Sequence, residues 1–157
     1  MIFVTLGTQD KQFKRLLEAV DNLKTDEEII VQSGSTDYKF KKDNVKKRKY
    51  MSQKAMDENI KNARVIITHA GVGTIIHGLE LNKKMIVAAR LKKYNEHVND
   101  HQLDILNEFA KDGYILKLDD FSKLEELINK DFTPKKFESN TEKFNDSLEK
   151  EIDRLCK

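Results

Sequence analysis

One stretch decides the fold: Val65-Ile66-Ile67-Thr68-His69-Ala70-Gly71-Val72-Gly73-Thr74. It begins with three apolar β-branched residues, which is typical of a strand buried on both faces of a parallel sheet. Gly71 and Gly73 are then expected to let the backbone turn sharply and approach a ligand closely. The chain continues as a predicted helix, Thr74–Leu81, whose free N–H groups and positive dipole end face that turn. A strand, turn and helix in this order typically bind an anion, most often a phosphate.

Apolar segments on both sides of this stretch alternate between strand and helix patterns. Further strands are predicted at Ile2–Leu6, Ile29–Val31, Lys46–Tyr50 (a short edge strand), Met85–Ala89 and Tyr114–Leu118, and helices at Phe13–Leu23, Ser52–Asn62, Asp100–Lys111 and Ser122–Ile128. This alternation predicts the α/β class, with a single Rossmann-like, doubly wound and mainly parallel sheet. Ligands of such sheets bind beyond the carboxyl ends of the strands. The turns Gly7-Thr8 and His69–Gly73 are therefore the predicted floor of a site.

The composition limits the possible functions. A chain of 157 residues fits one domain with a substantial core, and a net charge of +2 does not favour a nucleic-acid binder. The single cysteine, Cys156, excludes a disulfide framework and favours a reducing cytoplasm. Met1 leads directly into a strand pattern without a signal segment, and no apolar run approaches the roughly 20 residues that span a bilayer. These features predict a soluble, cytoplasmic protein.

Two segments lie outside this ligand-binding pattern. Residues 1–132 are predicted to form the ligand-binding domain, and residues 133–157 a C-terminal amphipathic helix whose apolar stripe either docks on the sheet or contacts another chain. The segment Lys39–Lys49 contains seven basic residues. It is either a solvated loop with an edge strand that lysines protect from pairing, or a patch for anionic lipid head groups or an acidic partner.

Several familiar motifs are absent. Gly71 and Gly73 begin a G-x-G-x-x-G pattern, but its third position is Ile76, and no acidic residue closes the strand that ends at Arg90. This argues against a dinucleotide oxidoreductase. The G-K-[ST] of a P-loop and the G-x-S-x-G of a nucleophile elbow do not occur.

The histidines do not form a metal motif. His97 and His101 are four residues apart, but they lie on either side of a predicted helix start and have no glutamate between them. No metal is therefore predicted. His69 is expected either to support the glycine turn or to contact a ligand directly. Asn99 and Gln102 fit a helix capping box, although His101 or Gln102 at the rim could instead orient a polar ligand.

Three segments together resemble the donor-binding, C-terminal half of GT-B glycosyltransferases of family 28. They are Thr68–Thr74, Leu79–Lys84 and Asn99–Gln102. More narrowly, the chain resembles the soluble subunit of two-part enzymes, which include the UDP-N-acetylglucosamine transferase of the dolichol pathway. Val4–Thr8 and Lys93–Gln102 look most like the bacterial capsule and exopolysaccharide members. The resemblance covers about residues 1–118 and implies one Rossmann-like half of a GT-B enzyme.

The resemblance also implies a UDP-sugar donor in the cleft, which makes residues 1–132 a UDP-sugar-binding domain. Residues that match the family's donor site are Gly7, Thr8 and Gln9 near the diphosphate, His69, Ala70, Gly71, Val72, Gly73 and Thr74 at the diphosphate and nucleoside, and His101 and Gln102 at the sugar and ribose. Position 77 is often a glutamate that binds the ribose hydroxyls in the family, but it is His77 here. Glu80, one turn later, is a possible substitute.

The activity implied is inverting transfer of a sugar from a UDP-sugar to a polyprenyl-linked acceptor in capsule or exopolysaccharide synthesis, without metal or cofactor. A membrane-anchored partner would bring the acceptor to the cytoplasmic face and supply the general base, with Glu96 and His97 as the only alternatives within this chain. Without that partner, the chain could form a homo-oligomer. The competing hypothesis is a non-catalytic nucleotide-binding scaffold that activates a partner transferase.

Overall fold

A computed structural model of the protein describes residues 1–138. Six parallel strands form one sheet in the order β3-β2-β1-β4-β5-β6. The strands are β1 Ile2–Thr5, β2 Ile29–Gln32, β3 Val45–Arg48, β4 Val65–His69, β5 Lys84–Ala88 and β6 Leu116–Lys117. The helices are α1 Lys14–Asp21, α2 Gln53–Asn62, α3 Val72–Glu80, α4 His101–Lys111 and α5 Leu124–Asn129, with 3-10 turns at Lys92–Tyr94 and Phe121–Lys123. The predicted α/β doubly wound fold is confirmed.

Helices cover both faces of the sheet, so the central strands are buried on both sides. Alternate residues of each strand point to opposite faces. Val4 and Ile67 pack on the layer that contains α1 and α5, whereas Phe3 and Ile66 pack on the layer that contains α2, α3 and α4. This explains why the strands are continuous apolar runs instead of alternating apolar and polar residues.

The direction of strand addition reverses between β1 and β4. The chain first adds β2 and β3 on one side of β1, then crosses to β4, β5 and β6 on the other. Thr5 and Thr68 are register partners at the carboxyl ends of β1 and β4. The loops that follow these strands are therefore neighbours at the switch point, where sheets of this class bind ligands.

Helix α3 begins at Val72, two residues before the predicted start, so Gly73 lies in its first turn. Gly71 is the N-cap and has an ordinary extended backbone, with φ −87° and ψ 122°. The chain does turn tightly before α3, where the Gly71 N–H donates to the His69 carbonyl at 2.8 Å, but neither glycine needs a left-handed backbone for this turn. A Cβ on Gly71 would lie 2.7 Å from the His69 ring, so this position favours glycine because the ring is packed against its backbone.

Helix ends were predicted with mixed success. The Ser52 hydroxyl accepts the N–H of Ala55 at the start of α2, as expected. Asn82 follows α3 and Gly113 follows α4 with positive φ of 55° and 80°, which is typical of residues that terminate helices. The predicted capping box at Ser122 is wrong. The Asp120 carboxylate accepts the Ser122 N–H, and α5 begins only at Leu124.

Most of the predicted C-terminal helix lies outside the described residues. Residues 133–138 have no helix and pack on the turn that follows α4. There Lys135 donates its N–H to the Gly113 carbonyl, and the Phe137 ring lies 5.9 Å from the Tyr114 ring. A domain boundary at residue 132 stays a prediction. In the part of the chain described, no helix has the length and apolarity needed to cross a bilayer.

Candidate functional site

Three loops pack against one another at the carboxyl rim of the sheet. Gly7 follows β1 with φ +74°, and Gly34 follows β2 with φ +58°. A Cβ on Gly34 would lie 2.6 Å from the Gly7 carbonyl oxygen, and a Cβ on Gly7 would lie 2.5 Å from His69 Nε2. The His69 ring, at the end of β4, is thus packed between the backbones of Gly7 and Gly71. Glycine permits both the left-handed backbone at residue 7 and this close contact.

A hydrogen-bond relay fixes the protonation state of His69. The Arg90 backbone N–H donates to Gln102 Oε1 at 3.1 Å, so the Gln102 amide nitrogen faces His69 Nδ1, 3.2 Å away. Nδ1 therefore accepts, and the ring proton lies on Nε2, at the edge that faces Gly7. His69 is only 7% exposed, and burial, with a further contribution from the Arg90 charge, lowers its pKa to about 3. The ring is a neutral donor at physiological pH.

Arg90 lies two residues after the end of β5. It is a buried cation that connects the loop after β1 with the loop after β5. Its side chain is 1% exposed and donates to the carbonyls of Leu6, Lys11 and Glu96 at 2.7, 2.8 and 3.2 Å. Burial lowers the pKa of Arg90 to about 10, which still leaves it charged at neutral pH. It thus places a positive charge directly beneath the rim.

Glu96 is held in an ion pair. Its carboxylate oxygens accept from Arg15 Nε and Nη2, both at 2.7 Å, and Oε1 also accepts the Leu91 N–H at 3.0 Å. The residue is 3% exposed. Because the carboxylate is buried and bound on both oxygens, this geometry favours a role in holding the loop 91–100 against α1 over proton transfer.

His97 is the more accessible of the two proton-transfer candidates. It is half-buried, and its Nδ1 accepts the Asn99 N–H at 3.3 Å. Burial and, after it, the charge of Arg90 lower the pKa of His97. Because Nδ1 accepts this hydrogen bond, the neutral ring carries its proton on Nε2, and its acceptor nitrogen is already engaged.

Two helices begin at this rim. No side chain caps the N-terminus of α3, and a Cβ built on Gly73 meets nothing within 4 Å, so space is open in front of the first turn. The start of α4 follows the loop 91–100, where Asn99 Oδ1 accepts the His101 N–H. Helix N-termini carry free N–H groups and partial positive charge. The uncapped start of α3 is therefore suited to an anionic ligand, whereas the start of α4 already carries the acidic residues Asp100 and Asp104.

Buried polar atoms without hydrogen-bond partners cluster at the same rim. Among the side chains of residues 1–138 they are Thr68 Oγ1, Arg90 Nε and His101 Nδ1. These residues lie at the ends of β4 and β5 and at the start of α4. Buried polar groups are ordinarily hydrogen-bonded, so these three atoms are exceptions within the part of the chain that the structure describes.

The fold brings most of the predicted site residues to this rim. Those on its loops and helix starts are Gly7, Thr8, Gln9, His69, Ala70, Gly71, Val72, Gly73, Thr74, His101 and Gln102. The Ala70 side chain is buried in the core, so only its backbone is available to a ligand. The alternative of a capping box at Gln102 is wrong, because its side chain is buried and bonded to Arg90 and His69.

The predicted ribose contacts lie further along α3. His77 Nδ1 is 3.5 Å from Asp57 Oδ1 on α2, and Glu80 is exposed in the last turn of α3. The pair places a carboxylate beside position 77, which the sequence alone did not reveal. In residues 1–138, no three His, Cys, Asp or Glu side chains lie close enough to share a metal ion.

The fold and the rim define a class: a doubly wound α/β domain whose carboxyl rim carries an uncapped helix start, a neutral imidazole and a buried cation. The profile of the glycosyltransferase family 28 C-terminal domain matches residues 1–155. The chain belongs to this family, and the resemblance seen in its sequence is confirmed.

Among named relatives, the chain is similar to UDP-N-acetylglucosamine transferase subunits called ALG13. The one from Candida albicans is 32% identical over 90 residues, which are 57% of this chain and 29% of that protein. The one from Candida glabrata is 34% identical over 83 residues, which are 50% of this chain and 40% of that protein. The similarity thus spans less than half of each relative.

Solved structures show the same fold at low sequence identity. The kitacinnamycin glycosyltransferase has a TM-score of 0.58 and 20% identity, with 81% of this chain and 33% of that chain covered. CalG4, the calicheamicin glycosyltransferase, has a TM-score of 0.59 and 13% identity, with 81% and 32% covered. The described domain therefore has the architecture of one half of a GT-B glycosyltransferase, its C-terminal half.

Proposed function

We propose that this chain is the donor-binding subunit of an inverting glycosyltransferase that moves a sugar from a UDP-sugar to a polyprenyl-linked acceptor. Membership of the family supports the reaction class, and the names of the ALG13 relatives support UDP as the nucleotide. The sequence segments most similar to bacterial members favour a role in capsule or exopolysaccharide synthesis. A membrane-anchored partner supplies the acceptor at the cytoplasmic face.

The observation that carries this proposal is the construction of the rim. The open N-terminus of α3, the neutral His69 donor and the buried Arg90 charge all lie at the carboxyl rim of the sheet, near its switch point. Negative charge grows on the departing diphosphate as the glycosidic bond to the donor breaks. Preorganised donors and a buried cation stabilise that charge without reorganisation, and a metal ion is not required.

The state of the two candidate bases in this chain suggests which chain supplies the general base. Both carboxylate oxygens of Glu96 are bound to Arg15. The second candidate base in this chain, His97, is half-buried. A general base has to lie within hydrogen-bond reach of the acceptor hydroxyl. We therefore assign the base to the partner and keep His97 as the candidate within this chain.

Gly73→Asp tests the donor site. The position faces open space, so the side chain should fit, and a carboxylate in the first turn stabilises a helix by about 0.3–1 kcal/mol. The same carboxylate about 8 Å from the diphosphate costs roughly 2 kcal/mol at an effective dielectric constant of about 20, which weakens UDP binding about 30-fold. Calorimetric titration with UDP and ADP measures this loss, and Gly73→Asn is the control of equal size without charge.

Three outcomes would contradict the proposal. UDP binding that is equal in the Asp and Asn variants excludes a diphosphate at the start of α3. ADP binding as tight as UDP binding excludes a uridine site. If the Asp variant forms a fully active complex with its partner despite weakened UDP binding, the chain is a scaffold and another chain holds the donor.

A further inference from the structure

The segment Lys39–Lys49, here called the basic edge, forms the outermost part of the sheet on the β3 side. It contains seven basic residues and a single acidic one, Asp43, whereas the whole chain has a net charge of only +2. The rest of the molecule is therefore net negative. The positive charge of the chain is therefore concentrated in the basic edge.

Few of these charges are neutralised within the molecule. In residues 1–138, Lys46 alone among the seven has a carboxylate within 4 Å, Glu28 Oε2 at 2.9 Å. From Lys46 to Tyr50, every side chain is exposed. Strand β3 also has only one neighbour in the sheet, β2. Lysine on an edge strand discourages pairing with other strands, but that purpose needs one or two charges and not seven.

The basic edge is continuous with the rim that holds the candidate donor site. The N–H groups of Ser33 and Gly34 donate to the carbonyls of Arg48 and Lys49 at 2.9 and 2.8 Å. Gly34 in turn packs on Gly7. Strands β3 and β1 are two positions apart, which is about 10 Å at ordinary strand spacing. A surface that contacts the basic edge would thus lie beside the rim.

Tyr50 adds an aromatic residue to the end of the basic edge. It follows Lys49 directly and is 55% exposed, one of the largest apolar surfaces exposed by a single side chain in residues 1–138. Exposed tyrosine beside lysine and arginine is characteristic of surfaces that lie at a membrane interface. The exposed, extended strand β3 presents its charges in a row, which matches a plane of many head groups better than one bound phosphate.

We propose that the basic edge docks directly on an anionic lipid surface. This contact goes beyond the proposed function, because it needs neither a nucleotide nor a partner chain. It turns the rim beside Gly34 toward the bilayer plane, from which a lipid-linked acceptor would reach the site. Each basic residue near an anionic membrane strengthens binding about fivefold, so several together give reversible attachment.

The test is co-sedimentation of the full chain with phosphatidylcholine vesicles that contain about one-third phosphatidylglycerol. The variant is Lys41→Gln/Arg48→Gln/Lys49→Gln, because these three side chains are exposed and form no ion pair with another residue of the described range 1–138. The control is Lys54→Gln/Lys111→Gln/Lys130→Gln, which removes three exposed charges from other surfaces. At about fivefold per charge, the variant should bind the vesicles roughly 100-fold more weakly than the control.

Two results would overturn this inference. One is equal vesicle binding by the variant and the control. The other is binding to a polyanion such as duplex RNA that matches vesicle binding and falls equally in the variant, which would show a general anion surface. UDP titration of the same proteins separates this inference from the donor site, since both triple variants should keep wild-type UDP affinity.

Discussion

Gly7 combines a left-handed backbone with the closest approach to a functional side chain. In Gly7→Ala, the alanine must adopt φ +74°, which costs about 1–2 kcal/mol, and its Cβ would lie 2.5 Å from His69 Nε2. Gly113→Ala is the matched control, with φ +80° and nothing within 4 Å of its Cβ. We expect both variants to lose stability in urea unfolding and only Gly7→Ala to lose UDP affinity. Equal UDP affinity in the two variants would show that His69 does not depend on this contact.

His69 makes folding stability depend on pH in a defined direction. Its pKa is about 3 when folded, mainly because of burial, and about 6.5 in a free chain. Between these values the unfolded chain binds a proton that the folded chain does not. Acidification through this window therefore destabilises the fold, by up to about 1.4 kcal/mol per pH unit.

His69→Gln should remove this dependence while leaving the other titrating groups in place. The measurement is urea unfolding between pH 7 and 5, above the range in which Glu27 titrates, since hydrogen bonds from Arg64 lower the Glu27 pKa to about 2 from 4.5. The pKa of His97 is also lowered and contributes in the same direction to both proteins. Parallel stability curves for wild type and variant would refute a buried, neutral His69.

At the scale of single residues, the sequence indicated which side chains meet at the rim but not how they are bonded. His69 and Gln102 were recognised through the family resemblance, with a structural and a ligand-binding role open for each. Their relay depends on the Arg90 N–H, which no local pattern reveals. In the sequence, Arg90 was noted only because no acidic residue follows the strand there. Its role as a loop connector was not visible, because its carbonyl partners lie up to 84 residues away in sequence. An arginine that directly follows an apolar buried strand was the one available signal.

At the scale of helices and strands, prediction succeeded wherever periodic apolar residues determine the element. Six strands and five helices were expected at their places; for all of them except the exposed β3, burial of one helix face or of both sheet faces leaves a local pattern. Helix starts were less reliable. Ser122 and Gln102 fit capping boxes in the sequence. In the structure, however, Asp120 accepts the Ser122 N–H, and the Gln102 side chain is bonded to Arg90 and His69. A capping motif in sequence does not show which partner a side chain will prefer.

Arg90 joins the loops after β1 and β5 and should be sensitive even to lysine. Lysine has a single nitrogen that cannot reproduce the fork of the guanidinium. Arg90→Lys should therefore leave one or two of the three carbonyls unpaired, at about 1–3 kcal/mol each. Arg64→Lys is the control, because Arg64 is half exposed and its ion pair with Glu27 should be worth about 1 kcal/mol or less.

The measurement is urea unfolding of both lysine variants, followed by UDP titration of those that fold. We expect a larger loss of stability in Arg90→Lys and a loss of UDP affinity in that variant alone. Equal destabilisation of the two would mean that the buried guanidinium is not what holds the loops together. Because lysine keeps the positive charge, unchanged UDP affinity in a folded Arg90→Lys would show that donor binding does not depend on the guanidinium hydrogen bonds.

At the scale of the whole molecule, the rim gathers loops from β1, β2, β4 and β5, so a ligand there should stabilise the entire sheet. A ligand that binds only the folded state adds about 2.7 kcal/mol at 100 times its Kd. In a domain of this size each kcal/mol raises Tm by about 2–4 °C, so saturating UDP should raise it by roughly 5–11 °C. Gly73→Asp, which leaves the fold intact, should show a much smaller rise at the same UDP concentration. Thermal unfolding monitored by circular dichroism, with ADP as the control nucleotide, measures this difference. An equal rise in Tm with ADP would show that the rim recognises the diphosphate but does not distinguish uridine from adenosine.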